Sequence, residues 1–205
     1  MILFFSWPKS VFQYVDLTKI QTYQPTNIPF TLANNLNDTT FPMDIFDFLQ
    51  QHNIGYERVD HPPVYTVAEA QEKVPPIAGA ETKNLFVRTK KADRHFLVVV
   101  GYDKSVHLKA LAKALGVKRL GFASPDRLMR YLGIKPGSVS LLAILNDTDA
   151  AVEVIVDQVV WNAERLKCHP LVNTSTLSIT KSDIERIFKI TNHAVTVIDV
   201  PQRTA

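Results

Sequence analysis

The chain has 205 residues, 46% of them hydrophobic and 21% charged, with a formal net charge of +3. This is the composition of an ordinary soluble globular protein with enough chain for one sizeable core, and it holds no low-complexity tract. A single cysteine, Cys168, excludes an internal disulfide and a cysteine-based metal cluster and fits a reducing, cytoplasmic compartment.

The opening Met1-Ile2-Leu3-Phe4-Phe5-Ser6-Trp7 lacks a basic n-region and is too short for a spanning helix or a signal h-region, so neither export nor membrane insertion is expected. Residues 1–42 are rich in Thr, Asn, Gln and Pro, carry only Lys9, Asp16, Lys19 and Asp38 as charges, and show no sustained period. They read as an extension with no clear fold, and residues 43–205 as the single domain. Met43 is a candidate functional start, which N-terminal sequencing of the native protein tests.

From Met43 the apolar spacing of Ile45, Phe46 and Leu49 predicts an amphipathic helix over 43–53, then a strand over Tyr56–Val59. His61-Pro62-Pro63 ends regular structure, because proline restricts its predecessor and donates no hydrogen bond. Thr66 with Glu69 forms a capping box for a short helix to about Val74, followed by a loop through Pro75, Pro76 and Gly79. Asn84–Thr89 and His95–Gly101 read as a hairpin around the charged turn Lys90–Arg94. Ser105–Leu115 is a helix with Leu108, Leu111, Ala112 and Leu115 inward, stopped by Gly116. A short strand over Lys118–Ala123 precedes a helix over 125–132, opened by Ser124 and Pro125 and closed by Gly133.

The loop Pro136-Gly137-Ser138-Val139-Ser140 leads into the apolar run Leu141–Leu145, and Asn146-Asp147-Thr148-Asp149 turns into a strand over Val152–Val156. An extended stretch over Thr174–Ile179, a helix capped by Thr180 and Asp183 to about Ile190, and a strand over Ala194–Val200 complete the pattern. Helices interspersed with hairpin-like strand pairs predict an α/β fold with a mixed, largely antiparallel sheet and surrounding helices, not a doubly wound parallel one.

Charge is segregated along the chain. Between Lys83 and Arg119 ten cations face only Asp93 and Asp103, a local balance of +8. Such a run suits either a face that steers a polyanion or a merely solvated basic surface. Lys83 itself leads into the apolar run Leu85-Phe86-Val87, which needs either open solvent or a polar task at a pocket rim. No phosphate-cradling glycine loop, GxSxG or HExxH motif occurs. Cys168 adjoins His169, but neighbours along a strand point to opposite faces, so a thiol dyad is not expected and a small buried hydrophobe is the plain reading.

The remaining polar residues are Lys83 and Asn84, the Gly137-Ser138-Val139-Ser140 loop, Asn146-Asp147, and the stretch Cys168–Thr176 with His169 and Asn173. Singly, each has a structural reading: a surface cation, a plain turn, an Asx cap, a strand-edge histidine. Together they suggest a polar pocket and no more.

As an ordered set, however, His61-Pro62-Pro63-Val64-Tyr65-Thr66-Val67-Ala68-Glu69-Ala70, Thr82-Lys83-Asn84-Leu85-Phe86, Gly137-Ser138-Val139-Ser140 and His169-Pro170-Leu171-Val172-Asn173-Thr174 resemble the YbaK/ProX family of freestanding aminoacyl-tRNA deacylases. The similarity is greatest to its alanyl-tRNA(Pro) deacylase branch and runs from about Met43 to Val200. The resemblance implies hydrolysis, without cofactor or metal, of the ester on mischarged tRNA(Pro), most of all alanyl-tRNA(Pro). The implied partners are the tRNA(Pro) acceptor end and prolyl-tRNA synthetase. It assigns Lys83, Gly137, Ser138 and His169 to catalysis and Asn84, Ser140, Asn146 and Asn173 to substrate binding, with Val87, Val139 and Leu142 as walls of a methyl-sized sieve. The substrate's own ribose hydroxyl would help to activate the water. The family loop commonly continues with proline where this chain has Leu141, which puts rate or preference in question. A cysteinyl or other small aminoacyl ester, and a tRNA- or synthetase-binding module without catalysis, are the alternatives.

Overall fold

The structure, a computed structural model, describes residues 21–23 and 44–203. Met43 and the rest of the 1–42 extension lie outside the described residues. Within the extension, β1 (Gln21–Tyr23) is a strand. Helix α1 (Ile45–Gln51) starts at Asp44, whose Oδ1 accepts from the Phe46 amide at 2.8 Å and satisfies one of the donors that a helix N-terminus leaves free. Ile45, Phe48 and Leu49 turn inward, whereas Phe46 is only half-buried, under the Arg58 guanidinium.

β2 (Tyr56–Asp60) is followed by α2 (Val67–Lys73), where the expected cap is present: Thr66 Oγ1 accepts from Glu69 N at 3.2 Å, and Glu69 Oε2 from Tyr65 N at 2.9 Å. β3 (Thr82–Thr89) and β4 (His95–Gly101) form the predicted hairpin. Helix α3 (Leu108–Ala114) begins three residues later than its apolar pattern suggests. The C-terminal segment explains the delay: Val106 bridges Gln202 and Ser105 O accepts from Arg203 N, which keeps residues 105–106 extended.

β5 (Leu120–Phe122), α4 (Pro125–Leu132), β6 (Val152–Asp157), α6 (Lys181–Ile190) and β9 (Val195–Ile198) fall where the pattern puts them. The apolar run after the 136–140 loop is a 3-10 helix, Leu141–Asn146, with Leu141 to Leu145 all buried. The one-turn helix α5 (Gln158–Trp161) and strand β7 (Arg165–Cys168) have no counterpart in the sequence reading, and β8 (Ser175–Thr180) completes the set.

The strands make two sheets, not one. The first, in the order β1-β2-β8-β7, is antiparallel throughout. The second, β5-β3-β4-β6-β9, is antiparallel on the β5 side of β4 and parallel on the β9 side, so the mixed, largely antiparallel expectation holds. Both sheets contribute to the main core, where Phe86, Leu97 and Val99 meet Leu166, Leu177 and Ile179 together with α1, α4, α6 and the 3-10 helix. The opposite face of the second sheet, with Val87, Phe96, Val98 and Val100, packs on Leu111 and Ala112 of α3. Each such large side chain removed from water contributes about 1.5–3 kcal/mol before entropy is counted. Among the described residues no helix is long and apolar enough to cross a membrane.

Candidate active site

The two sheets touch where β3 starts and β7 ends, and this seam makes a cavity. Ala80 bridges Leu166, with Ala80 N donating to Arg165 O at 2.9 Å and Lys167 N to Ala80 O at 3.0 Å. Thr82 Oγ1 adds a bond to Lys167 O at 3.0 Å, and Lys167 Nζ pairs with Glu81 Oε1 at 3.1 Å. The approach is close enough to need Gly79: its φ is +124°, and a Cβ there would lie 3.2 Å from Arg165 O. Beside the seam opens a cavity of about 470 Å³. Its apolar wall comes from Val64, α2 and the Pro75-Pro76-Ile77 loop, and its polar wall from β3, β7, β8 and the loops at 137–138 and 169–173.

Five of the eight residues expected to form a site line this cavity: Asn84, Gly137, Ser138, His169 and Asn173. The Val139 carbonyl organises two of them. It accepts from Asn84 Nδ2 at 3.2 Å and also interacts with the His169 imidazole. Asn84 Oδ1 and His169 Nδ1 are left buried without a protein partner. Burial pushes the His169 pKa below the usual histidine value and the Val139 carbonyl pulls in the opposite direction, so the ring is held neutral near pH 7. With its proton on Nε2, a neutral imidazole leaves Nδ1 as an acceptor.

Gly137 takes φ +87° with open space around it, and Ser138 N turns back to Lys135 O at 3.2 Å. Among the described residues the amides of Gly137, Val139 and Ser140 donate to no protein group, so the loop's free donors flank Ser138 instead of including it. Ser140 anchors this loop from below. It is fully buried, donates to His169 O at 2.6 Å and accepts from Leu142 N at 3.3 Å. The buried Leu141 that follows is thus held by a cap and by the 3-10 helix, in a place where proline would act through its ring.

Three of the expected placements differ in the structure. Lys83 does not line the cavity: it sits between Thr82 and Asn84, which do, and pairs in register with Val100, whose side chain belongs to the α3 face of the sheet. It is half-buried, and its ammonium makes no hydrogen bond or ion pair among the described residues. Asn146 lies away from the cavity and closes α4, donating to Leu132 O at 2.9 Å against Gly133, where a Cβ would come within 2.9 Å of its Nδ2. Val87 and Leu142 are core residues on other faces and Val139 contributes its carbonyl, so the apolar wall is made by Val64, Ala70, Val74 and Pro75–Ile77 instead.

Cys168 and His169 both border the cavity, because β7 ends at Cys168 and its alternation does not carry further. The thiol is inert all the same, since burial pushes its pKa to about 12. Sequence reasoning missed Glu81 and Lys167 and gave no individual role to Thr82, Ser175 or the pair His61–Thr176, in which His61 Nε2 meets Thr176 Oγ1 at 3.1 Å and Nδ1 donates to Pro62 O at 2.9 Å. A signal was available for Lys167: Arg165 and Lys167 alternate with Leu166 and Cys168 at the period of a strand.

The basic run does not form one patch. Arg94 pairs with Glu153 at 2.7 Å and Lys104 with Asp157 at 2.5 Å and Asp199 at 3.1 Å, whereas Lys109, Lys113 and Lys118 stay exposed around a shallow depression beside α3. Among the described residues no three His, Cys, Asp or Glu side chains are grouped so as to hold a metal ion.

Residues 61–187 match the family model of the aminoacyl-tRNA editing domain. Over 152 residues the chain is 35% identical to the prolyl-tRNA editing protein ProX of Acetoanaerobium sticklandii, covering 74% of this chain and 93% of that one. Over 157 residues it is 33% identical to prolyl-tRNA synthetase associated domain-containing protein 1 of Danio rerio, covering 76% and 85%. The crystal structure of a candidate trans-editing enzyme for prolyl-tRNA synthetase shares the fold, with a TM-score of 0.53 at 15% identity over 75% of this chain and 93% of that one.

Proposed function

Because the chain belongs to the aminoacyl-tRNA editing domain family, we propose that it is a freestanding cytoplasmic deacylase that clears mischarged tRNA(Pro), with alanyl-tRNA(Pro) as its main substrate. One observation carries the reading: two buried acceptors, Asn84 Oδ1 and His169 Nδ1, belong to the same cavity as the loop whose Gly137, Val139 and Ser140 amides are uncommitted. An aminoacyl ester is complementary to that arrangement. Its α-ammonium supplies donors for the two acceptors, and its carbonyl oxygen, turning negative as water adds, needs preorganised N–H groups.

In this mechanism the loop amides stabilise the oxyanion while Asn84 and His169 fix the amine, with Asn173 and Ser138 shaping the entrance. The water oxygen bonds to the carbonyl carbon, the ester C–O bond breaks, and the ribose oxygen leaves with a proton. The vicinal ribose hydroxyl of the substrate helps to activate the water, so the step runs through no metal. Lys83, directed away from the cavity, serves the tRNA backbone beyond the terminal ribose and not the ester oxygen. The Pro75–Ile77 wall sets the sieve. It admits a methyl side chain and excludes a pyrrolidine ring, whereas a synthetase gains only about 1–3 kcal/mol of discrimination per missing methylene.

The test is deacylation of alanyl-tRNA(Pro) and prolyl-tRNA(Pro) by the wild type, Asn84→Ala and His169→Ala. The wild type clears the alanyl ester and spares the prolyl one, and each variant loses at least tenfold in kcat/KM. Full activity in both variants would remove the assignment of the amine site.

A further inference from the structure

Arg58, Arg94, Arg165 and Arg186 each pair with a carboxylate. Arg88, Arg127 and Arg130 pair with none among the described residues, yet they converge on one spot. Arg88 stands opposite His95 in the β3–β4 register, and Arg127 Nη1 donates to His95 Nε2 at 3.1 Å. Arg130 lies 5.4 Å from the centre of the Tyr131 ring, which packs on the His95 ring at 4.1 Å. His95 is buried and, as acceptor of an arginine N–H, neutral, so it balances none of this charge. Nor do the nearest carboxylates: Asp126 comes one turn before Arg130 without pairing with it, Asp147 is engaged by His193, and Asp93 by Thr89. Arg88 gives only Nη1 to the Thr89 and Lys90 carbonyls, and Arg127 only Nη1 to His95, so most of the guanidinium N–H groups are open.

Close cations without a counter-ion repel one another, and a group with several negative oxygens relieves this. The planar arginine fork suits phosphate in particular. The cluster is also on the cavity's side of the second sheet. Thr82, Asn84, Phe86 and Arg88 share one face of β3, and the first two line the cavity. At the rise of a strand, Arg88 is about 13 Å beyond Asn84. Exposed Lys135 continues the positive charge toward the 137–140 loop. Resting on the editing activity proposed above, we infer that Arg88, Arg127 and Arg130 hold the phosphodiester backbone of the RNA whose terminal ester occupies the cavity.

Arg88→Gln, Arg130→Gln and the double variant keep the Arg127–His95 bond, and thermal transitions check that each folds. They are compared with wild type and with Lys109→Gln/Lys113→Gln, which alters exposed cations of α3 on the opposite face of the sheet. The substrates are alanyl-tRNA(Pro) and the phosphate-free ester 2′(3′)-O-alanyladenosine, and uncharged tRNA(Pro) serves for binding. The double arginine variant raises KM for alanyl-tRNA(Pro) by about tenfold or more, the worth of one hydrogen bond to a charged group, at unchanged kcat. The loss is confined to the phosphate-bearing substrate, and the log–log salt slope of uncharged tRNA binding shrinks by about one per arginine removed. The lysine variant behaves as wild type. A wild-type KM and slope in the double arginine variant overturn the inference, as does an equal loss on alanyladenosine, which marks a structural role. A loss seen only in the lysine variant puts the backbone on the α3 face and overturns it too. Absence of hydrolysis by the wild type sinks the editing reading, while the salt slope of uncharged tRNA binding still decides the arginine contact.

Discussion

Replacing Ser140 by alanine tests how the 137–140 loop is held. The side chain is fully buried and makes two bonds, one to His169 O at 2.6 Å and one from Leu142 N at 3.3 Å. The variant strands a half-buried carbonyl and a buried amide, while the small void it leaves adds little. Taking the longer contact as weak, the loss is about 2 kcal/mol. For a domain of this size that lowers Tm by about 4–8 °C. The same bond ties the 137–140 loop to the His169 segment, so the proposed oxyanion donors and amine site lose their fixed separation. Hence kcat for alanyl-tRNA(Pro) falls by about tenfold or more, since misplacement by about 1 Å is enough for that. Scanning calorimetry with single-turnover deacylation measures both. An unchanged Tm would show that the two bonds do not stabilise the fold, and an unchanged kcat alongside a lowered Tm would show that loop and histidine need no coupling.

Gly137→Val forces a β-branched residue into φ +87°, at a local cost of at least about 1–2 kcal/mol, and kcat drops with little change in KM; an unaltered kcat counts against the loop as the oxyanion site. Lys83→Ala lowers kcat/KM for the tRNA substrate and reduces the magnitude of the log–log salt slope by about one, while Lys83→Arg recovers most of it; a rate and slope equal to wild type refute the phosphate contact. In the proposed mechanism His169 acts as a neutral acceptor, and burial lowers its pKa below 6.5, so activity holds through pH 6.5 and declines only at lower pH. An acid limb at or above 6.5 contradicts that role. His95 also has its pKa lowered, by burial first and then by Arg127, Arg130 and Arg88. A histidine kept neutral in the folded state binds fewer protons than in the unfolded chain, so its contribution is complete above pH 6.5 and is lost as pH falls toward the folded value. Urea midpoints at pH 7.5 and 5.5 should therefore differ more in wild type than in His95→Gln.

Legibility in the sequence followed the range of the forces involved. The Thr66 cap, Pro125 at the start of α4 and the left-handed Gly133 were readable because each is satisfied within a turn of chain. The start of α3 was not, because Gln202 and Arg203 hold its first residues from about a hundred positions away. The β7 strand escaped notice because four residues with two cations look like a loop until Ala80 and β8 pair with them. The same distinction runs through the site. His169, Asn84 and the Gly137 loop were found by their resemblance to a family pattern, yet what joins them is the Val139 carbonyl, a backbone atom that sequence does not display. Lys83 was conspicuous as a charge before an apolar run, but the two-residue period of β3 gives the cavity to its neighbours Thr82 and Asn84. Lys167 and Glu81, which do border the cavity, pair only because the two sheets meet there.

The proposed activity of this cavity is hydrolysis of the ester of a small wrong amino acid on tRNA(Pro). Single-turnover deacylation of alanyl-tRNA(Pro) beside prolyl-tRNA(Pro), with excess purified protein, tests it most directly. The account predicts loss of the alanyl ester far above the spontaneous rate and persistence of the prolyl ester. Decay of both at the spontaneous rate, or of both alike in the presence of the protein, would contradict it.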